Sequence, residues 1–120
     1  MNLQNEFEPI RDWAKAKGIY EKGDMKTQAL KLAEEAGELA KAILNNDEAE
    51  IIDAIGDQVV VLTNLAKLAD QHFHGKPGHR RLGFLEPVIT LESCVNSAYN
   101  VIKNRTGNMS NGTFVKDEGQ

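Results

Sequence analysis

Six carboxylates between residues 34 and 57 have the types and spacing to act together. Glu34, Glu35 and Glu38 lie in KLAEEAGELAKAIL, and Glu50, Asp53 and Asp57 lie in EIIDAIGDQVVVL, two runs that are otherwise mostly apolar. At about 100° per residue, Lys31, Glu35 and Glu38 share one helical face, as do Glu50, Asp53 and Asp57. The intervening Asn45-Asn46-Asp47 reads as a break, and an antiparallel hairpin about it brings equidistant residues level. Glu35 and Asp57 are each eleven positions from Asn46, while Glu38 and Asp53 are eight and seven away. The register therefore predicts four carboxylates side by side between two helices. At an effective dielectric of ~20, two like charges about 5 Å apart repel by ~3 kcal/mol. Such a group needs raised pKa values, interleaved cations or a metal ion. Ligands that are all carboxylate oxygen favour Mg²⁺ or Mn²⁺ over zinc. A pair of solvated acidic faces is the plainer reading. The interruption of apolar runs and the matched register favour the ion site.

Glu50 has a competing role. Asp47 followed three residues later by Glu50 spells a variant capping box, which makes Asp53 the better ligand.

The elements that must position these acids follow from composition and periodicity. The 120 residues suffice for one domain with a modest core, and the low aromatic content (6%) and three prolines suit helices. A net charge of -4 repels nucleic acid, so no direct nucleic-acid binding is expected, and a polyphosphate ligand needs a metal bridge or a local basic patch. The single cysteine, Cys94, excludes an internal disulfide and fits a reducing compartment. Neither a signal-peptide pattern nor a membrane-length apolar run is evident, so the expected location is cytoplasmic and no membrane partner is implied. In that location the sequons at Asn104, Asn108 and Asn111 have no glycosylation role.

A first helix is predicted over about Gln4 to Lys17, with Phe7, Ile10 and Ala14 inward and Gly18 ending it. Trp13 has two readings, a platform for stacking a base or core packing, the latter being the commoner use. After a turn at Glu21 to Gly23, Asp24 caps a second helix over about Met25 to Leu44. Its apolar row is Leu32, Ala36, Leu39 and Ile43. Gly37 beside Glu38 and Gly56 beside Asp57 leave room for a neighbouring backbone or a bound group. Lys31 is either a phosphate ligand or the partner of Glu34 or Glu35 in an ordinary helix pair.

The third helix spans about Glu48 to Gln71. It is apolar almost all round near Asp57, which calls for more than one neighbour and hence a second subunit. Asn64, two turns beyond Asp57 on the same face, either reaches a ligand or ties a helix contact. His72 to Glu86 (HFHGKPGHRRLGFLE) reads as a long loop. His72, His74 and His79 lack a cysteine partner or a helical i,i+4 pair, so they are weak metal candidates. Lys76, Arg80 and Arg81 could form a basic lid, although solvated loop charge is the simpler account. A last helix starts near Pro87 and ends in NVIKNRTG, with Lys103 and Arg105 in its final turn. The domain is drawn as 1–107, with 108–120 as a tail that extends onto a neighbour or is disordered.

With these residues in place, the chain resembles the MazG-like branch of the all-α nucleoside triphosphate pyrophosphatase superfamily. That group pairs E-E-x-x-E on one helix with E-x-x-D on the next. Here Glu34-Glu35-Ala36-Gly37-Glu38 matches the first half, and Asp57 in Asp53-Ala54-Ile55-Gly56-Asp57 matches the aspartate of a segment that often reads E-E-L-G-D. Ala54 stands at the usual glutamate, with Asp53 one residue earlier, so the fourth ligand is open between Asp53 and a water. The resemblance covers about Gly23 to Asp70, and Tyr99 to Lys116 is similar to small phage-encoded members, which would place the protein in a host cytoplasm.

The resemblance implies a four-helix, bundle-like fold assembling as a homodimer or homotetramer. It also implies hydrolysis of a (d)NTP between the α- and β-phosphates to monophosphate and pyrophosphate. Glu35, Glu38 and Asp57, with Asp53, would hold Mg²⁺ or Mn²⁺, and Glu34 would orient or deprotonate a water. Lys31, Lys103 and Arg105 are candidates for the phosphates, Asn64 for the sugar or a phosphate, and Trp13 for the base. A purine such as dGTP is one substrate hypothesis. The alternatives are a dUTPase-type or phosphoribosyl-ATP-type relative, a non-catalytic helical dimer that binds a divalent ion, and a helical adaptor. The adaptor fits least, given the acidic motif.

Overall fold

The computed structural model describes residues 4–75 and 88–119. Its elements in order are α1 (Gln4–Ala16), α2 (Ile19–Lys22), α3 (Met25–Leu44), α4 (Glu48–His74), α5 (Leu91–Ile102), β1 (Gly107–Ser110) and β2 (Thr113–Lys116). The all-α reading holds for the body of the chain. It is corrected in two places: a one-turn helix stands where a turn was expected, and a β-hairpin forms at the C-terminal end.

The antiparallel α3–α4 hairpin is the main packing unit. Asp24 caps α3 by accepting from Thr27 N at 2.8 Å, and Asp47 caps α4 by accepting from Glu50 N at 3.2 Å. Between the two helices Asn46 takes a left-handed φ of 52°, which asparagine tolerates better than most residues. The chain thereby reverses in three residues, and this fixes the register. Ala42 and Ala54 are buried in the seam, where small side chains let the helices approach closely. The seam is narrower than the predicted apolar row. Ala36 is exposed, and Ile43 and Leu44 are 57% and 86% exposed. On α4, Ile52 and Ile55 also face outward.

A small core of Ala14, Tyr20 and Leu68, with Ile19 and Met25 against it, joins α1 and α2 to α4. Gly18 permits this junction with a left-handed φ of 81°, where a side chain would be strained. Tyr20 OH donates to Asn64 Oδ1 at 2.8 Å, and burial pushes the phenol pKa up to about 12.

The last helix begins at Leu91, later than expected, because Thr90 and Ser93 form a reciprocal capping box. Arg11 clasps both oxygens of Glu92 at 2.8 Å, and the buried Asp70 accepts from Ile89 N at 3.0 Å. These contacts fasten the N-terminal end of α5 to α1 and α4. Beyond Glu92 the whole helix is exposed.

The expected tail boundary after Gly107 falls inside β1. Asn111 and Gly112 have φ of 50° and 82°, the two left-handed residues of a type I′ turn, and they pair Ser110 with Thr113. At Gly107 the backbone of Val115 and the Phe114 ring leave no room for a Cβ. Among the described residues no helix is long and apolar enough to cross a membrane.

Candidate functional site

The hairpin register does bring Glu35 and Asp57 together. Glu35 is 5% exposed although it is ionisable, and its Oε1 lies 3.5 Å from Lys31 Nζ one turn earlier. Its Oε2 is buried without a hydrogen-bond partner among the described residues. Asp57 is held above the usual carboxylate range, first by burial, then by the negative charges of Asp53 and Glu35, with Lys31 partly opposing. The Lys31 ammonium is raised chiefly by the charge of Glu34, then by its hydrogen bond to Glu35.

The expected convergence of four acids is not found. Among the described residues no group of three or more His, Cys, Asp or Glu closes to metal-holding distance. Glu35 and Asp57 form the inner pair, while Glu38 and Asp53 are exposed to solvent. Like charges in a partly dry seam favour that arrangement, because water screens the outer two better than the helix interface would. Glu50 is exposed beside its cap, as its competing role suggested. The chemistry fits a hard cation all the same. An orphaned, buried carboxylate oxygen on Glu35, next to a carboxyl whose pKa is raised by burial and then by like charge, is what a divalent ion would relieve.

Next to this pair, a cleft of about 370 Å³ is lined by Trp13, Ile19, Thr27, Gln28, Leu30, Lys31, Glu34, Val60, Val61 and Asn64. Trp13 is 51% exposed at this cleft, so of its two readings the core-packing one is set aside. Asn64 is tied to Tyr20, as its packing reading has it, and it also lines the cleft. Its Oδ1 is committed to Tyr20. Thr27 and Gln28 were not singled out by the sequence reading. Gln28 lies one turn before Lys31, and that phase was the available signal.

Lys103 and Arg105 are placed elsewhere. They follow the exposed C-terminal end of α5 and line neither this cleft nor the Glu35–Asp57 pair. Gly37 and Gly56 have open space where a Cβ would project, so among the described residues no backbone uses the room they leave. His72 packs edge-on against Phe73 at 4.8 Å. His79, Lys76, Arg80 and Arg81, and with them the lid reading, lie outside the described residues. A larger cavity of about 1160 Å³ separates α1, α4 and α5. It holds none of the motif acids, and its Arg11 is engaged with Glu8 and Glu92.

Residues 24–76 match the family described as the MazG nucleotide pyrophosphohydrolase domain. The matched stretch takes in the α3–α4 hairpin, with its acid pair and one wall of the cleft. An "Uncharacterized 18.2 kDa protein in rep-hol intergenic region" of Haemophilus phage HP1 (strain HP1c1) is 38% identical over 66 residues. That match takes in 55% of this chain and 40% of the phage protein, so the chain spans well under two thirds of that relative. No solved structure matches the chain.

Proposed function

We propose that the protein is a metal-dependent nucleoside triphosphate pyrophosphohydrolase, cleaving a (d)NTP between the α- and β-phosphates to (d)NMP and pyrophosphate. The observation that carries this reading is the buried Glu35 with its unpartnered oxygen beside Asp57, at the edge of a cleft that also presents Trp13 and Lys31. Glu35 and Asp57, with Glu38 and Asp53 from the solvent side, would hold Mg²⁺ or Mn²⁺. Such an ion offsets triphosphate charge and acidifies a water. Glu34, exposed on the adjoining face of α3 and lining the cleft, accepts the proton of the attacking water. Lys31 pairs with phosphate oxygens, and the Trp13 indole stacks on the base. The indole overlaps a purine more fully than a pyrimidine, which supports a purine dNTP such as dGTP as substrate. Such substrates place the protein in the cytoplasm, in the host's if it is phage-encoded.

One observation favours a second reading. The buried, unpartnered Glu35 oxygen beside Asp57 would equally suit a protein that binds a divalent ion without turnover. Incubation with each NTP and dNTP in Mg²⁺ or Mn²⁺ separates the two. Monophosphate with pyrophosphate supports the enzyme, and orthophosphate with diphosphate overturns it. Ion binding without any product supports the second reading. Preference for dUTP or phosphoribosyl-ATP would move the chain to another branch of the superfamily.

A further inference from the structure

We propose that Gln28 is the residue that reads the base. Its carboxamide pairs with the hydrogen-bonding edge of a nucleobase stacked on Trp13, and it accepts adenine and guanine alike. This rests on the pyrophosphohydrolase reading and narrows the substrate class of the same site to purine nucleoside triphosphates, amino and oxo bases together.

The first support is register. Glu35 and Asp57, each eleven positions from Asn46, come together across the seam. Gln28 and Asn64 are each eighteen positions from Asn46, so the same count brings them level. Each lies seven residues from its acid, two turns along the same helix face. The hairpin therefore carries a pair of carboxamides in line with the pair of acids, and both amides line the cleft. At a rise of 1.5 Å per residue, the two pairs stand roughly 10 Å apart along the helix axes. Lys31 lies between them, one turn from Gln28 and one from Glu35. A nucleotide laid along this line with its phosphates at the acids brings its base to the amides.

The second support is the condition of the polar groups at that end. Asn64 is buried and tied to Tyr20, and the Thr27 hydroxyl donates to Asp24 at 2.9 Å. Gln28 is partly buried, and among the described residues no hydrogen bond holds its carboxamide. Ile19, Leu30, Val60 and Val61 make the apolar part of the wall, opposite the half-exposed Trp13. A slot of this kind takes a flat ring and orients it with few polar groups.

The chemistry of the amide then sets what it recognises. A carboxamide presents a donor and an acceptor side by side, and a half-turn about its last torsion exchanges them. One orientation matches the amino group and ring nitrogen of adenine, the other the carbonyl and ring N–H of guanine. The group is neutral, so neither base is repelled. A carboxylate in its place would only accept, meeting two N–H groups of guanine but the ring-nitrogen lone pair of adenine. Pyrimidines offer the same donor–acceptor pairs, so the stack on Trp13 rather than the amide disfavours them.

The test measures kcat and KM in Mn²⁺ for dATP, dGTP and purine deoxyriboside triphosphate, which lacks the amino or oxo group. Wild type is compared with Gln28→Leu and Gln28→Glu. Wild type is expected to use dATP and dGTP within about ten-fold of each other, and to show a KM about 2- to 10-fold higher for the bare purine, the loss of one neutral hydrogen bond. Gln28→Leu should bring all three substrates to one raised KM with kcat near wild type. Gln28→Glu should favour dGTP over dATP by about ten-fold or more, a ratio from which any general loss due to the added charge cancels. Variants that keep the wild-type ratios overturn the proposal, as does a wild type that prefers one purine more strongly than stated. The same ranking is expected in binding, read from Trp13 fluorescence with the non-hydrolysable α,β-methylene triphosphates. If that ranking depends on Gln28 while no nucleotide yields pyrophosphate, base reading stands and the enzymatic reading fails. If pyrophosphate is released but both variants keep the wild-type ratios, the role of Gln28 fails alone.

Discussion

The side chains of Glu35 on α3 and Asp57 on α4 meet across the hairpin seam, and the charge of Glu35 helps to hold the Asp57 carboxyl above its usual range. Burial and Asp53 act in the same direction. Asp57 therefore titrates higher in the folded chain than in the unfolded one. As pH rises from the unfolded value through the folded value, the folded chain binds more protons, and stability falls across that window. The resulting penalty is fully present at neutral pH. Asp57→Asn should therefore raise the melting temperature of the metal-free protein. With Mn²⁺ the order should reverse, because an ion at 100 times its Kd stabilises wild type by about 2.7 kcal/mol and the variant gains little. Thermal melts with and without Mn²⁺ check both signs, and a variant that melts lower without metal removes Asp57 from the strained pair.

Glu35 and Glu38 differ in exposure but belong to the same proposed ion site. Glu35→Gln and Glu38→Gln should each lower turnover by ~100-fold or more, since a charged metal ligand contributes several kcal/mol to the transition state. Glu38 is solvated, so its variant should melt within about 0.5 kcal/mol of wild type. Steady-state kinetics beside circular dichroism measure both. Near-normal turnover of Glu38→Gln would place it outside the site.

The Tyr20–Asn64 hydrogen bond links the core under α2 to the floor of the cleft. Tyr20→Phe keeps the ring but leaves the buried Asn64 oxygen without its donor, a cost of about 1–3 kcal/mol. Urea unfolding should show that loss with an unchanged m-value, and KM should rise more than kcat falls. An unshifted midpoint would mean that water replaces the hydroxyl.

Much of this architecture was legible in local signals. Asp24 and Asp47 announced the starts of α3 and α4, and counting from Asn46 gave the Glu35–Asp57 register, because a three-residue reversal leaves little freedom. What stayed hidden depended on partners distant in sequence. Nothing near Trp13 says that α2 will turn beneath it and leave the indole at a cleft edge. Likewise Arg11 does not announce Glu92, the residue that sets where α5 docks. The C-terminal hairpin does have a local signal, because Asn111-Gly112 is a strong type I′ turn pair. Glu38 and Asp53 come near level in the hairpin, yet both side chains are exposed. Register brings backbones level, whereas solvation decides whether like-charged side chains converge.

The Arg11–Glu92 pair should make the docking of α5 sensitive to acid. Arg11 holds the Glu92 carboxyl below its usual range, so the pair's stabilisation is present above the unfolded carboxylate pKa and is lost as pH falls through the folded one. Both side chains are largely covered, at 12% and 21% exposed. Arg11→Met should cost about 1–3 kcal/mol at pH 7 and much less at pH 3, a bidentate pair being stronger than a surface one. Denaturant titrations at the two pH values, with Glu92→Gln completing a double-mutant cycle, measure the coupling. Equal losses at both pH values would assign the effect to packing rather than charge.

Trp13 reports on the cleft directly, because it is the one tryptophan in the chain and half its surface is open there. A base stacked on the indole should quench its fluorescence in a saturable way, and a purine nucleotide should quench more than a pyrimidine nucleotide. The stacking contact is present before and during reaction, so it contributes to binding rather than to the chemical step. Trp13→Ala should therefore raise KM about 5- to 150-fold, the range expected for losing ~1–3 kcal/mol of stacking, with kcat within a few-fold of wild type. Binding energy lost at the base and turnover lost at the carboxylates would then be separable in one enzyme. Quenching by Mn²⁺ alone, equal to that by Mn²⁺ with nucleotide, would show that the indole senses the ion site and not the base.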